Sequence, residues 1–253
     1  MERTFFGYVT LYIQRYGTWF LYGAGVTLMI ALVGTVAGFV IGLMVSAVRT
    51  VPLEAHRGKG LRYHGLRLCN LLLVCYIEVF RGTPMMVQAI VLYYGFQEWM
   101  NIDFAPLTAG LIVISLNTGA YMAEIARGGI QAIDPGQTEA AKALGMTHWQ
   151  TMGRIIFPQA IRNILPATGN EFIINIKDSS VLNVISVAEL YFMTKTVRGV
   201  ALRTFEVFLI TAVIYLALTL TVTQILKRVE KYMDGPVNFS LSPFSSSRNK
   251  KRR

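Results

Sequence analysis

The stretch DPGQTEAAKALGMTHWQTMGRIIFPQAIRNILP, residues 134–166, is polar and helix-forming, and long apolar segments lie on both sides of it. Of the 253 residues, 53% are hydrophobic and only 15% are charged. Soluble domains carry about 25% charged residues, so this composition is typical of a chain that is solvated by lipid. The sequence therefore predicts a membrane protein in which one polar segment interrupts the membrane-spanning part.

Five apolar segments flank this stretch, and each is long enough to cross a hydrocarbon core of about 30 Å. They lie at residues 16–48, 68–97, 106–126, 168–190 and 205–226. The expected fold is an all-α integral membrane protein with five transmembrane helices. Residues 1–15 would form an extracytoplasmic segment, and the basic, Ser-rich residues 231–253 would form a disordered tail.

Three glycines in the first apolar segment are spaced four residues apart. Gly34, Gly38 and Gly42 therefore share one helix face, where a second helix can approach closely. The alternative is that glycine is simply common in membrane helices.

Lysine and arginine are distributed unevenly along the chain. The loop 49–67, the segment 127–165 and the tail 227–253 together hold 17 of the 24, and the opposite side holds five. Because cytoplasmic loops are enriched in Lys and Arg, residues 134–166 and the C-terminus are predicted to be cytoplasmic and the N-terminus external. The net charge of +10 then reflects membrane topology, and no nucleic-acid partner is expected.

Residues 134–166 begin with the signals of a short helix. Asp134 is a good N-cap residue, and Pro135 fits the first helical position. An alanine-rich run follows, and Gly145 stands where a helix ends in a left-handed cap. The small side chains make this helix thin enough to lie in a groove of another protein. Alternatively, the helix rests on the bilayer or on the protein itself.

A second helix is predicted directly after the Gly145 turn. Thr147 followed by Gln150 is a capping box, and the helix should run to about Phe157. Pro158 would then bend or restart the chain. Pro166 is expected to separate this segment from the fourth span.

The run EAAKALG, followed after nine residues by IIFP, closely resembles the signature E-A-A-x3-G-x9-I-x-L-P of the permease subunits of ATP-binding-cassette (ABC) importers. Phe157 stands where the signature has Leu. The stretches EVFRGTP, AEIARGGI, PQAIRNILP and NEFIINIKDSS further resemble the polar amino acid branch of that family, over roughly residues 15–230. The positions that match the signature are Glu139, Ala140, Ala141, Gly145, Ile155 and Pro158.

This resemblance implies a bacterial plasma-membrane permease subunit, with residues 16–230 as its transmembrane domain, that pairs with a second permease of the same or a different kind. It also implies two ATPase subunits, which carry the ATP and Mg, and an extracytoplasmic amino acid-binding protein. Residues Glu139, Ala140, Ala141 and Gly145 would couple the ATPase to the membrane helices. No G-x-x-x-x-G-K-[ST] stretch occurs in the chain, so no cofactor and no ATPase activity of its own are expected.

Polar residues inside the predicted spans are candidates for a substrate path, because such residues are functional candidates by default at membrane depth. Lys177 and Asp178 lie near the midplane of the fourth span and provide both charge signs that an amino acid requires. Structural alternatives remain open: a brace between Lys177 and a carboxylate, and pairs Glu78–Arg81 and Glu124–Arg127. The full set is Glu78, Arg81, Asn117, Glu124, Asn175, Lys177 and Asp178.

Two other classes of function agree less well with the sequence. An ATP-independent secondary transporter or channel subunit is the main alternative, but no convincing inverted repeat is evident. A membrane enzyme would need a clustered nucleophile, base or metal set. The histidines at 56, 64 and 148 show no ligand spacing, and Cys69 and Cys75 are more typical of apolar filler than of a disulfide.

Overall fold

The computed structural model describes residues 4–51 and 60–233, and these residues form α-helices connected by short turns. The long helices pack around α1 and α4, while α5 and α6 are short and lie between α4 and α7. The helices are α1 (Phe5–Arg49), α2 (Leu61–Gly82), α3 (Met85–Met100), α4 (Pro106–Gln131), α5 (Pro135–Ala143), α6 (His148–Thr151), α7 (Phe157–Asp178), α8 (Leu190–Ala201) and α9 (Thr204–Met233).

Within the described ranges, four helices are long and apolar enough to cross a membrane, namely α1, α2, α4 and α9. The prediction of an all-helical, multi-pass membrane protein is confirmed. Helix α1 has 45 residues and begins at Phe5, so most of the predicted segment 1–15 is continuous with the first span. The predicted tail beyond residue 233 and part of the loop 49–67 lie outside the described residues.

The packing of α1 on α4 depends on the glycine face of α1. A methyl group added at Gly38 would lie 2.6 Å from Thr118 Cγ2 and 3.0 Å from the Gly119 nitrogen, so only glycine allows this approach. The predicted close helix contact is therefore confirmed. The facing residues on α4 repeat every four positions as well: Gly34 opposes Ile114, Gly38 opposes Thr118, and Gly42 opposes Met122.

The predicted interruption of the second apolar segment is a true break between α2 and α3. Thr83 is extended, and Pro84 precedes the first residue of α3. The buried Gln88 side chain donates to the carbonyl oxygens of Phe80 and Thr83, at 2.8 and 2.9 Å. At membrane depth such freed carbonyls need a donor, and Gln88 supplies it.

The fourth predicted span, residues 168–190, differs from the structure. Helix α7 runs without interruption through Pro166 and ends at Asp178, so Pro166 is no boundary. A proline inside a helix removes one backbone hydrogen bond, which is tolerated in membrane helices when other groups satisfy the freed carbonyl. After Asp178 the chain forms a 3₁₀ segment, Ser179–Ile185, and turns at Ser186, whose φ is 64°. Helix α8, which the sequence did not predict, follows this turn.

Candidate functional site

The segment between α4 and α7 begins with a tightly capped short helix. The Asp134 side chain accepts a hydrogen bond from the Gly136 backbone at 2.8 Å, as its N-cap position predicts. At the other end, Gly145 has a φ of 74°. Its N–H donates to the Lys142 carbonyl at 2.9 Å, and the N–H of Met146 donates to the Ala141 carbonyl at 3.0 Å. These two bonds form a Schellman cap, so the glycine turn is confirmed.

The second helix of the segment is joined directly to a membrane helix. Thr147 and Gln150 form the predicted capping box, with bonds of 2.9 and 3.3 Å. Helix α6 then passes through a π-helical turn, Met152–Ile156, into α7 with no break at Pro158. Helix α6 and α7 are therefore one continuous helical unit, with no loop between them.

Much of the α5–α6 segment faces away from the helix bundle. Of the four predicted coupling residues, Glu139, Ala140 and Gly145 are exposed, and Ala141 is buried. Two large apolar side chains beside them, which the signature does not include, are also uncovered: Leu144 is 80% exposed and Trp149 is 57% exposed. Exposed apolar groups grouped with polar ones are typical of a protein-binding surface.

The buried end of the candidate path is a hydrogen-bond network across three helices. Asn175 of α7 accepts from the Thr118 hydroxyl of α4 at 3.1 Å, and its amide nitrogen donates to Thr35 of α1 at 2.9 Å. Thr35 in turn donates to the Ala31 carbonyl at 2.7 Å. All three side chains are buried, so Asn175 holds α7 against α1 and α4 rather than presenting an open binding group.

The charged residues of the second segment do not pair with each other. In the described part of the chain, no ion pair joins Glu78 to Arg81, and both are exposed. Arg81 lies over the Tyr121 ring of α4, with 5.6 Å between its guanidinium carbon and the ring centroid. Asn117 donates to the Gln88 side chain at 2.9 Å. The predicted Glu78–Arg81 pair is therefore wrong, and the Arg81 guanidinium contacts the Tyr121 ring instead.

Glu124 is the centre of an ion triad at one end of the bundle. It accepts from Arg127 on its own helix at 2.7 Å, as the three-residue spacing predicts, and from Arg49 of α1 at 2.5 Å. The exposed fraction of the Glu124 and Arg49 side chains is 20% each. This triad joins the last turn of α1 to α4, close to where the α5–α6 segment begins.

Lys177 and Asp178 end α7 beside the 3₁₀ segment. Lys177 is exposed and Asp178 is half-buried, and neither forms an ion pair within the described residues. The internal brace that the sequence left open is therefore not formed among residues 4–51 and 60–233. Glu171, two turns earlier on α7, is 9% exposed.

Glu189 is a buried carboxylate that the sequence analysis did not single out. It is the N-cap of α8 and accepts from the backbone N–H groups of Tyr191 and Phe192, at 2.9 and 2.7 Å. It also accepts from the Tyr215 hydroxyl of α9 at 3.0 Å and from Thr27 of α1 at 3.5 Å. No local pattern identifies it, because its partners on α1 and α9 are distant in sequence.

A helical bundle with several membrane-spanning helices and a projecting capped helix pair agrees with a membrane transport subunit. The match to the family described as the binding-protein-dependent transport system inner membrane component covers residues 58–235, and the chain belongs to this family. The resemblance to permease subunits of ABC importers is thus confirmed.

Two relatives with transport names are similar over most of their length. The glutamine transport system permease protein of Escherichia coli (strain K12) is 38% identical over 212 residues, which cover 83% of this chain and 91% of that protein. The arginine transport system permease protein of Bacillus subtilis (strain 168) is 32% identical over 211 residues, covering 83% and 90%.

Solved structures show the same fold. The crystal structure of an amino acid ABC transporter with histidines is similar at a TM-score of 0.77 and 37% identity, over 92% of this chain and 100% of the other. An inward-facing methionine ABC transporter is similar at a TM-score of 0.71 and 18% identity, which shows the fold alone.

Proposed function

We propose that this chain is the membrane permease subunit of an amino acid importer and that a separate ATPase drives it through the α5–α6 segment. The observation that carries the proposal is the direct helical connection from the exposed segment to α7. Relatives that are named as glutamine and arginine permeases support an amino acid as the cargo. The partners of the proposal are a second permease subunit, two ATPase subunits with their ATP and Mg, and an external binding protein.

The proposed arrangement in the membrane has five crossings, with α7 as the fourth in addition to α1, α2, α4 and α9. Helix α7 is less apolar than α1, α4 and α9, which agrees with a helix that faces protein or a wet path rather than lipid. The N-terminus would be external, and the α5–α6 segment and the C-terminus would be cytoplasmic, as the Lys and Arg distribution favours. In this arrangement the exposed segment projects into the cytoplasm, where ATP is available.

For coupling, a cleft of the ATPase would receive α5, with Glu139 as its main charge and Leu144 and Trp149 as apolar contacts. The Schellman cap at Gly145 keeps α5 and α6 at a fixed angle, so closure of the ATPase would move both as a rigid body. For the path, Lys177 and Asp178 are the candidate charges, since both are accessible at the end of α7. Glu78, Arg81, Asn117 and Glu124 would line or support the same route, and Asn175 would position α7.

The test of coupling uses Glu139→Lys and Gly145→Pro in the transporter reconstituted with the partners that copurify with it. Proline has its φ near −65° and cannot adopt the left-handed turn of Gly145. We expect both variants to insert normally and to lower uptake and substrate-stimulated ATP hydrolysis at least about tenfold, equivalent to about 1.4 kcal/mol of lost coupling.

Gly153→Ala is the matched control, because the added methyl group meets no atom within 4 Å and Gly153 is not in the left-handed region. It should transport normally. Normal uptake with normal stimulated hydrolysis in both test variants would contradict the proposed coupling segment. Uptake that proceeds without any ATPase subunit would instead favour an ATP-independent transporter.

A further inference from the structure

A groove of about 550 Å³ lies between α1, α7 and α9. Its volume is within the range of pockets that hold small molecules. Its lining includes Thr35 from the middle of α1 and Phe172 from the second half of α7. It also includes Arg162 near the beginning of α7 and Glu230 near the end of α9, and this part of the groove is called its mouth.

The body of the groove is apolar. Gly169 brings α7 close to α9, since a methyl group added there would lie 3.1 Å from the Leu226 side chain. The walls on either side of this contact leave space between the helices. The apolar side chains that line it are Leu32, Leu165, Phe172, Leu226 and Val229.

The mouth of the groove carries one charge of each sign. Arg162 and Glu230 both line the groove, and within the described ranges neither forms an ion pair. The backbone carbonyl of Arg162 is a third polar group. Its usual partner four residues later is Pro166, which has no N–H to donate. The mouth therefore offers a guanidinium donor, a carboxylate acceptor and a backbone carbonyl without its usual helical partner.

We propose that this groove binds phosphatidylethanolamine. A lipid with a phosphate and an ammonium group matches the mouth: the phosphate meets Arg162, and the ammonium donates to Glu230 and to the freed carbonyl of Arg162. An acyl chain follows the apolar walls toward the membrane centre. Because lipid tails are as apolar as leucine, the tail gives no preference between lipids, and the headgroup charges decide the selectivity.

The charge pattern distinguishes this lipid from an anionic one. Basic pockets between membrane helices on the cytoplasmic side bind anionic headgroups. In this groove the carboxylate of Glu230 would repel a purely anionic headgroup, whereas it attracts an ammonium. The exposed Lys227 and Arg228 of α9 do not line the groove, so neither is expected to bind the headgroup directly.

The experiment measures the lipids that remain on the transporter. The complete complex is placed in nanodiscs of equal phosphatidylethanolamine and phosphatidylglycerol, extracted, and examined by native mass spectrometry. We expect preferential retention of phosphatidylethanolamine. Arg162→Gln and Glu230→Gln should each lower that amount about tenfold, the effect of one lost charge-assisted hydrogen bond, and Arg228→Gln should leave it unchanged. Glu230→Lys should shift the preference toward phosphatidylglycerol.

A second measurement keeps the proposal testable if a variant does not fold. Phosphatidylethanolamine with a photoreactive acyl chain should label peptides that contain Leu165 or Leu226 in the unmodified protein. The proposal would be overturned by equal retention of both lipids or by labelling only outside the groove. It would also be overturned if the second permease covered the groove or an amino acid occupied it. The readout needs no transport, so its outcome is independent of the proposed function.

Discussion

Glu189 has no exposed surface, and it is a carboxylate in a mostly apolar bundle. Burying such a group is costly unless its oxygens are all engaged, and here four donors surround it. Two are backbone N–H groups at the start of α8, and the other two are the hydroxyls of Thr27 and Tyr215. A single side chain thus begins α8 and joins it to α1 and α9.

Glu189→Ala is expected to destabilise the protein by about 3 kcal/mol, because the helix cap is lost and two buried hydroxyls lose their acceptor. Glu189→Gln should cost less, since it retains one acceptor oxygen. Thermal unfolding in detergent measures both changes. The control is Glu98→Ala on the exposed end of α3, which should leave the unfolding temperature unchanged. An equal effect of the Glu98 and Glu189 substitutions would contradict this role.

His148 predicts a pH dependence of the α5–α6 segment. Burial lowers the pKa of His148 below its usual value, and the charge of Lys142 lowers that pKa further. Within the described residues its Nε2 atom has no hydrogen-bond partner, in keeping with a neutral ring. When the segment opens, His148 binds a proton more readily, so the folded segment is stable above pH about 6.5 and loses stability as the pH falls through the lower folded pKa.

Hydrogen exchange of the α6 amides, corrected for intrinsic rates, measures this effect between about pH 7.5 and about pH 5.5. Protection should fall at the lower pH in the unmodified protein and in His64→Gln, whose side chain is exposed. His148→Gln should remove the pH dependence. If the pH dependence persists in His148→Gln, a titrating group other than His148 causes it.

At the scale of helices, the glycine face of α1 explains why α1 and α4 form the centre of the bundle. Without a hydrophobic driving force between helices in lipid, close backbone approach supplies the packing energy. Because the facing residues repeat every four positions on both helices, the two backbones stay close at three successive contacts. The Glu124 triad with Arg49 and Arg127 adds an ionic contact at one end of the same pair.

Gly38→Ala should therefore destabilise the bundle by about 1–3 kcal/mol, the cost of overpacking a tight contact. Gly25→Ala is the matched control on the same helix, since its added methyl group meets no atom within 4 Å. The unfolding temperatures of the two variants are compared, after confirming that both insert into the membrane equally. A Gly38 variant as stable as the Gly25 variant would show that the helices separate without cost.

Sequence patterns predicted the elements whose signals are local. The caps at Asp134 and Thr147, the Gly145 turn and the glycine face involve residues within one or two turns of each other. Pro166 misled the prediction, because a proline in a membrane helix has no unique consequence without knowledge of what satisfies the freed carbonyl. Helix α8 was missed because Glu189, its N-cap, is held by residues far away in sequence. The same limit applies to Gln88, which stabilises the break before α3.

At the scale of the whole molecule, one continuous helical unit joins the exposed α5–α6 segment to the end of α7, where Lys177 and Asp178 lie. If the α5–α6 segment moves as proposed, we expect the proposed path charges Lys177 and Asp178 to move with it. The buried bonds of Asn175 to Thr118 and Thr35 set which part of α7 stays against α1 and α4.

Asp178→Asn tests the path directly. If Asp178 meets the ammonium of the cargo, the neutral variant should raise the half-saturating substrate concentration about tenfold, while stimulated ATP hydrolysis at saturation is retained. Uptake of labelled amino acids in proteoliposomes gives this comparison. Asp103→Asn, on the exposed connection between α3 and α4, serves as the control. Unchanged affinity and selectivity would place the cargo elsewhere.

The length of α1 has a consequence for the membrane around the protein. Beyond the aromatic residues Tyr16, Trp19 and Tyr22, α1 continues without charge from Gly23 to Val48, roughly 39 Å at 1.5 Å per residue. A hydrocarbon core of about 30 Å is shorter, so α1 accommodates the hydrophobic mismatch by tilting or by thickening the lipid beside it. Because the glycine face fixes α1 to α4, any tilt is shared by both helices. We therefore expect a change in bilayer thickness to alter the tilt of α1 and α4 together.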